Sequence, residues 1–284
     1  MLEMILSPRR AERHPWEMFF VGLVYASLSI LLVNWIFASD EVLSKYSGIL
    51  VVTFTVMFSL PFMYYLIKNQ EEIDMEHKGT FGILKEQSKS LLALLWLFLG
   101  FIVAFSFWYV VLPSNNSFRA QVETYCIINR PANFNECVSD YGIKSAKLTA
   151  SVTVKDRIMM IFANNIYVLI FTLIFSLIFG AGAIFVLAWN ASVIAAAVGI
   201  FSKSSLASLP LGVARYMIHG LPEIAAYFIG ALAGGIVSVA VIKHDTKTEK
   251  FWSILRDALT LIIVAVVVLL VAALVEVFVT PSLF

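Results

Sequence analysis

Long apolar runs separated by short polar connections set the pattern of this chain, and each run is long enough to predict a membrane-spanning helix. The first extends from Trp16 to Phe37, with Trp16 and Trp35 placed where interfacial aromatics gather. A tight polar turn holding Asp40, Glu41 and Lys45 leads to the second, about Tyr46 to Ile67, in which Pro61 predicts a kink. The third, Leu91 to Leu112, is stopped by Pro113. From Ile161 to Phe201 the chain stays apolar for about twice the ~20 residues that one crossing needs. Gly180-Ala181-Gly182-Ala183 divides this run into two antiparallel spans, Ile161–Phe179 and Ala183–Phe201. One span followed by a re-entrant segment is the alternative division. Ser202 to Ile218, with Pro210, reads as a short polar connection before a sixth span at about His219 to Ile242. A seventh span, Ala258 to Val279, ends at Thr280-Pro281.

The polar stretches are unequal. Met1 to Pro15 is compatible with a brief interfacial helix or a frayed tail. Arg9, Arg10 and Arg13 before an apolar run resemble a signal peptide, but the run exceeds the usual h-region of about 7–15 residues and reads as a retained span. Lys68 to Ser90 is charged with mixed sign and predicts one short solvated helix and a turn. Ser114 to about Met160 is expected to be an irregular loop followed by a helix-compatible run, Ser145 to Met160. The chain thus divides into residues 1–113, a tail and three-span half; 114–160, the large loop; and 161–284, a four-span half.

Charge placement orients this arrangement. Arg9, Arg10, Arg13, then Lys68, Lys78, Lys85, Lys89, then Lys243, Lys247, Lys250, Arg256 all fall on one side if there are seven spans. That side is the cytoplasm by the positive-inside rule, which a six-span reading would violate for the last group. The expected fold is an all-α polytopic membrane protein of about seven transmembrane helices, with its N-terminus cytoplasmic and one external loop of about 45 residues. The expected location is the cell membrane, multi-pass.

Composition supports this reading. The chain is 60% hydrophobic and 14% charged, whereas soluble domains carry about 25% charged residues. The net charge of +1 gives no basic footprint for nucleic acid. Cys126 and Cys137 are the only cysteines and both lie in the external loop, where a disulfide can persist. No histidine lies near them to make a zinc pair. Asn115-Asn116-Ser117 has the form of a glycosylation sequon on the same side.

Ionisable and amide side chains within spans are the candidates for function, because burying them in lipid is costly. They are Asn164, Asn165, Asn190, His219, Glu223 and Glu276. Topology alone puts all but the deeper Asn190 at the outer level. His219 and Glu223 are four residues apart, on one face if the helix includes both. Pro222 suggests instead a helix beginning near Leu221, with His219 in the entry turn and Glu223 in the first turn. Three readings stay open: an entry cap with a His–Glu hydrogen bond, a metal- or proton-handling site of His219, Glu223 and Glu276, and a contact for an external partner. The small residues Gly230 and Gly234, with Ala191, Ala195 and Gly199 in the preceding span, form ridges that let helix backbones approach. Whether they pack within one chain or between chains is open at this level. No phosphate-binding loop, nucleophile elbow or paired-histidine helix is present in the sequence, and no cofactor is expected.

Three blocks carry a resemblance. Asn164-Asn165, Phe179-Gly180-Ala181-Gly182 and Asn190 form one. His219-Gly220-x-x-Glu223 leading to Gly230-x-x-x-Gly234-Gly235 forms the most specific one. Ala273-x-x-Glu276-x-x-x-Thr280-Pro281 forms the third. Together, over Ile161 to Pro281, the chain resembles the stage II sporulation protein M family. The resemblance implies a polytopic membrane protein that, in spore formers, works as a scaffold beside peptidoglycan hydrolases and is not itself a hydrolase. The expected function is therefore an integral membrane scaffold without catalysis of its own. A channel or transporter through the C-terminal helices is the alternative, and an intramembrane metal-dependent enzyme a further one. The expected partners are the lipid bilayer and either a second copy or other membrane and envelope proteins.

Overall fold

The computed structural model describes residues 13–37, 39–40, 42–71, 79–112, 115–129, 133–140, 154–179, 182–202, 205–243 and 249–283. Among these, all regular structure is helical. Seven helices are long and apolar enough to cross a membrane: α1 (Glu17–Phe37), α2 (Ser47–Glu71), α3 (Gly79–Val111), α6 (Val154–Phe179), α7 (Gly182–Phe201), α8 (Leu209–Lys243) and α9 (Glu249–Leu274). The two-span division of the long apolar run holds, and α6 and α7 are separate helices. The Gly180-Ala181 link between them, the N-terminal tail before Arg13 and residues 72–78 of the charged connection lie outside the described residues.

Several boundaries differ from the sequence reading, among them the start of α9, which lies at Glu249 and not at Ala258. The helix α3 starts at Gly79, well before the apolar run, so part of the charged connection is helical. The helix α8 starts at Leu209 and runs through Pro222 for 35 residues, replacing both the expected polar connection and the expected helix start near Leu221. Pro210 occupies its first turn, where a missing N–H costs nothing, and a Leu206–Ser208 3-10 turn leads into it. The described part of the large loop contains two helices, α4 (Arg119–Asn129) and α5 (Phe134–Asp140), while residues 130–132 and 141–153 lie outside the described residues. The part of the Ser145–Met160 run that is described belongs to α6, which begins at Val154. Finally, Thr280-Pro281 does not stop the chain's helical course. The helix α9 widens into a π turn at Val275–Val279 and continues as α10 (Thr280–Leu283).

One hydrophobic core passes through all seven spans, from Met18 and Ile30 in α1 through Phe98, Phe101 and Phe105 in α3 to Ala265 and Leu269 in α9. Backbones approach most closely where glycines face each other. A Cβ on Gly22 of α1 would lie 3.2 Å from the Cα of Gly100 in α3, and one on Gly100 would lie 3.0 Å from the Cα of Gly22. Trp108 of α3 donates its Nε1–H to Ser27 of α1 at 2.9 Å just beyond that crossing.

The helices α4 and α5 form a hairpin closed by the expected Cys126–Cys137 disulfide. Its apolar side, Val122, Phe134 and Val138, packs on Ala196 of α7. Gln121 anchors the hairpin, donating Nε2–H to the Gly48 carbonyl of α2 at 2.9 Å and to Ser192 Oγ of α7 at 3.2 Å. Ser117, the last residue of the sequon, is buried and donates to Asn34 Oδ1 at 3.0 Å.

Candidate functional site

Three elements converge on one polar cluster. The helix α8 contributes His219, Glu223 and Tyr227, successive residues at four-residue spacing and so on one face. That spacing exists because α8 is continuous through Pro222, whose ring removes one helical hydrogen bond without ending the helix; packed neighbours in a bundle make such a defect tolerable. The helix α6 contributes Asn165, and the C-terminal π turn contributes Glu276 and leads to Thr280.

Asn165 is the hinge of the cluster. Its Nδ2 donates to Glu223 Oε1 at 2.6 Å, and its Oδ1 accepts the Tyr227 hydroxyl at 2.9 Å. Both ends of one carboxamide are thereby spent on α8. Asn165 and Tyr227 are buried, while Glu223 and Glu276 are half-buried. His219 is buried, and its Nδ1 lies 3.2 Å from Thr280 Oγ1. Thr280 in turn donates to the Val275 carbonyl at 3.3 Å, the five-residue step of the π turn. Charges flank the cluster on both sides. Glu276 interacts electrostatically with Glu223, Tyr227 and Tyr216, and Arg215, one turn before His219, acts on its ring. The Arg215 guanidinium sits 4.7 Å from the Phe201 ring centroid of α7. Tyr216 shares a hydrogen bond with Tyr125 of α4, which joins the disulfide-closed hairpin to the same helix.

The remaining sequence candidates lie elsewhere. Asn164 is exposed on the outer face of α6, one residue from the inward-turned Asn165. Asn190 donates to the Val186 carbonyl of its own helix at 2.8 Å. The small-residue ridges pack within the chain. A Cβ on Gly230 would collide with Leu169 of α6, and one on Gly234 would lie 2.8 Å from the Leu173 carbonyl oxygen. Ser176 of α6 donates to the Ala231 carbonyl between them at 2.6 Å. Ala191 and Ala195 are fully buried, and Gly199 lies under the Tyr109 ring of α3.

Sequence reasoning passed over Tyr227 and Thr280. The signal for Tyr227 was the four-residue step after Glu223, visible once α8 is continuous. Thr280 was read as part of a helix stop and of the third resemblance block, not as a member of the polar cluster. Among the described residues no group of three or more His, Cys, Asp and Glu is placed to hold a metal ion. His219 Nδ1 faces Thr280 Oγ1, and Glu223 Oε1 faces Asn165 Nδ2. Beside Tyr227, a crevice lined by Thr172, Val186, Leu187, Ile224 and Phe228 is apolar and too tight for a water molecule.

These features define a multi-pass helical membrane protein whose spanning helices are tied to one another by buried polar side chains. The chain belongs to the stage II sporulation protein M family, whose model matches residues 8–281 of its 284. No curated protein and no solved structure matches it.

Proposed function

We propose that this protein is a membrane assembly scaffold, with no catalytic chemistry of its own, that presents the disulfide-closed α4–α5 hairpin on the outer side of the membrane. The observation that carries this reading is how the polar cluster is used. Asn165, Glu223, Tyr227, His219 and Thr280 bond to one another across helices, tying α6, α8 and the C-terminal turn together. Polar groups arranged to move an ion or to activate a nucleophile leave an open position or line a water-filled space. Here Asn165, Glu223 and Tyr227 are joined directly across α6 and α8, and the cluster acts as an interhelical lock. The same economy holds outside the spans, where Gln121 and the Tyr125–Tyr216 pair fix the hairpin to α2, α7 and α8. A rigid outer feature fixed to a rigid bundle suits a platform for other envelope proteins. The N-terminus is placed in the cytoplasm and the hairpin outside, which the Lys/Arg distribution and the cystine support.

The test is extraction of the full chain into lipid nanodiscs directly from its own membrane, followed by mass determination of the intact particles. A defined oligomer or a fixed-ratio complex with envelope proteins is expected. A partnerless monomer throughout, or ion flux in reconstituted vesicles that His219→Ala and Glu223→Ala abolish, would overturn the reading.

A further inference from the structure

Of the seven spans, α6 has the smallest buried share, 22% of its apolar window. Met160, Asn164, Tyr167, Phe171 and Ile174 are exposed along it, alternating steps of four and three residues and so forming one stripe. Four of the five are apolar or aromatic, and Phe171 stacks on Phe175 with centroids 4.1 Å apart, giving that part of the stripe a flat aromatic plate. Asn164 is the exception. Its neighbour Asn165 turns inward to Glu223 and Tyr227, while the Asn164 carboxamide faces outward and makes no hydrogen bond among the described residues.

The depth of Asn164 gives this exposure its meaning. The apolar window of α6 opens at Ile158. Asn164 lies nearly two turns further along, about 9 Å deeper at 1.5 Å per residue. Its side chain is too short to reach back to the headgroups as lysine or arginine does. Lipid tails satisfy Met160, Phe171 and Ile174 but offer no partner to a carboxamide. The outer face of α9 makes the contrast: Leu259, Ile263, Val267, Leu270 and Leu274 are exposed there, and the exposed Thr260 among them returns its hydroxyl to the Arg256 carbonyl of its own helix at 2.9 Å, so lipid alone suffices.

We propose that the Met160–Asn164–Tyr167–Phe171–Ile174 stripe of α6 is the face through which two copies of this chain associate, with their Asn164 carboxamides hydrogen-bonded to each other. A carboxamide carries two donors and a two-lone-pair acceptor, so it is complementary to its own copy. A two-fold axis passing beside it sets the same residue of each chain opposite the other. Tyr167, 73% exposed one turn on, places a hydroxyl at the edge of the same contact. A single polar residue in an otherwise apolar helix seam also fixes register, because sliding the helices unpairs it. This inference rests on the scaffold reading and names its self-association surface.

Both native cysteines are joined, so an introduced cysteine is the only free thiol among the described residues. The full chain carrying Asn164→Cys or Tyr167→Cys, in proteoliposomes at low protein-to-lipid ratio, is expected to form a covalent dimer on mild oxidation. The chain carrying Ile263→Cys on α9 is not. Dilution of fluorophore-labelled protein in the bilayer should then show Asn164→Leu raising the dimer dissociation constant roughly tenfold, with Asn164→Gln close to the parent. Because Asn164 faces outward, the leucine variant should keep the unfolding temperature of the parent monomer. An Asn164→Leu chain that dimerises as the parent does would overturn the proposal, as would cross-linking through Ile263 in place of Tyr167. Oligomers joined by another face remove this surface and leave the scaffold reading standing. A chain that is monomeric and forms no complex removes both.

Discussion

Asn165 on α6 and Glu223 on α8 are 58 residues apart in sequence, yet Nδ2 of one lies 2.6 Å from Oε1 of the other. The bond crosses the interface that Gly230 and Gly234 hold close, so the small-residue ridge and the polar pair belong to one contact. If the pair is a lock, its two halves should be energetically coupled. Glu223→Gln keeps an acceptor for Asn165 and should cost little. Glu223→Leu leaves the Asn165 Nδ2–H group without its acceptor, while the Tyr227 hydroxyl keeps Asn165 Oδ1, and should destabilise by about 1–3 kcal/mol. A double-mutant cycle of Asn165→Leu with Glu223→Leu, followed by reversible unfolding in mixed micelles, should give a coupling of about 0.6–1.7 kcal/mol. Zero coupling would remove the lock.

Thr280 holds two elements with one hydroxyl, facing His219 Nδ1 and donating to the Val275 carbonyl of the π turn. Thr280→Val is close in shape and deletes only that hydroxyl. It should cost about 1 kcal/mol. Amide exchange should also speed up specifically across residues 275–283, because the π turn loses the side-chain bond that closes it. Uniform protection in the variant would show that packing alone keeps the turn.

The extent to which the sequence revealed this architecture depends on what each element is made of. The helices α1 and α7 coincide with their apolar runs, so hydropathy located them closely, whereas α6 starts at Val154, ahead of its run. The start of α8 was missed because Leu209 to Ile218 mixes Arg215, Tyr216 and two glycine- or proline-bearing steps, which read as a connection. Pro222 reinforced the error: in water it marks a helix start, whereas in a packed bundle it is carried inside a helix. Asn164 and Asn165 are adjacent in sequence, and only the rotation of α6 decides which one meets Glu223. The π turn shifts every side chain after Val275 by one extra residue, which no fixed helical period anticipates.

Gly234 and Gly235 are adjacent and should respond differently. A Cβ on Gly234 would lie 2.8 Å from the Leu173 carbonyl oxygen and 3.1 Å from Ser176 Cβ. The nearest atom to a Cβ on Gly235 is Ser176 Oγ, at an ordinary 3.9 Å. Gly234→Ala should therefore push α8 from α6 and cost about 1–3 kcal/mol. Gly235→Ala should be neutral or slightly stabilising, through alanine's better helix propensity. Equal unfolding midpoints for the two variants would contradict the helix–helix contact.

Asp40, in the turn between α1 and α2, accepts the backbone N–H groups of Val42 at 2.8 Å and Leu43 at 2.7 Å. These bonds, Leu43's first, hold its carboxyl below the usual carboxylate value. A depressed folded-state pKa stabilises the turn above the unfolded value of about 3.9. That contribution is lost as pH falls through the lower folded value. Carbon-detected titration of the Asp40 carboxyl should give a midpoint below 3.9. A midpoint at or above it would mean that the turn does not keep these bonds.

The α4–α5 hairpin has two attachments of different kinds, and their removal should look different. The Cys126–Cys137 bond closes a short loop within the hairpin, so Cys126→Ser with Cys137→Ser should loosen the hairpin itself, by roughly 2–3 kcal/mol on a chain-entropy estimate. Gln121 instead joins the hairpin to Gly48 of α2 and Ser192 of α7, and a Cβ on Gly48 would run into its side chain. Gln121→Ala should leave the hairpin folded and free its docking, a change that limited proteolysis reports as new cleavage at the hairpin's flanks. Gly48→Ala should do the same from the other side, since it leaves no room for the Gln121 amide. The seven spans share a core that these residues do not build, so helical content should stay near the parent's in all three proteins. If the serine variant loses span helicity, the hairpin is part of the bundle's foundation and not a feature mounted on it. If Gln121→Ala and Gly48→Ala cleave as slowly as the parent, the apolar contact of Val122, Phe134 and Val138 with Ala196 holds the hairpin by itself.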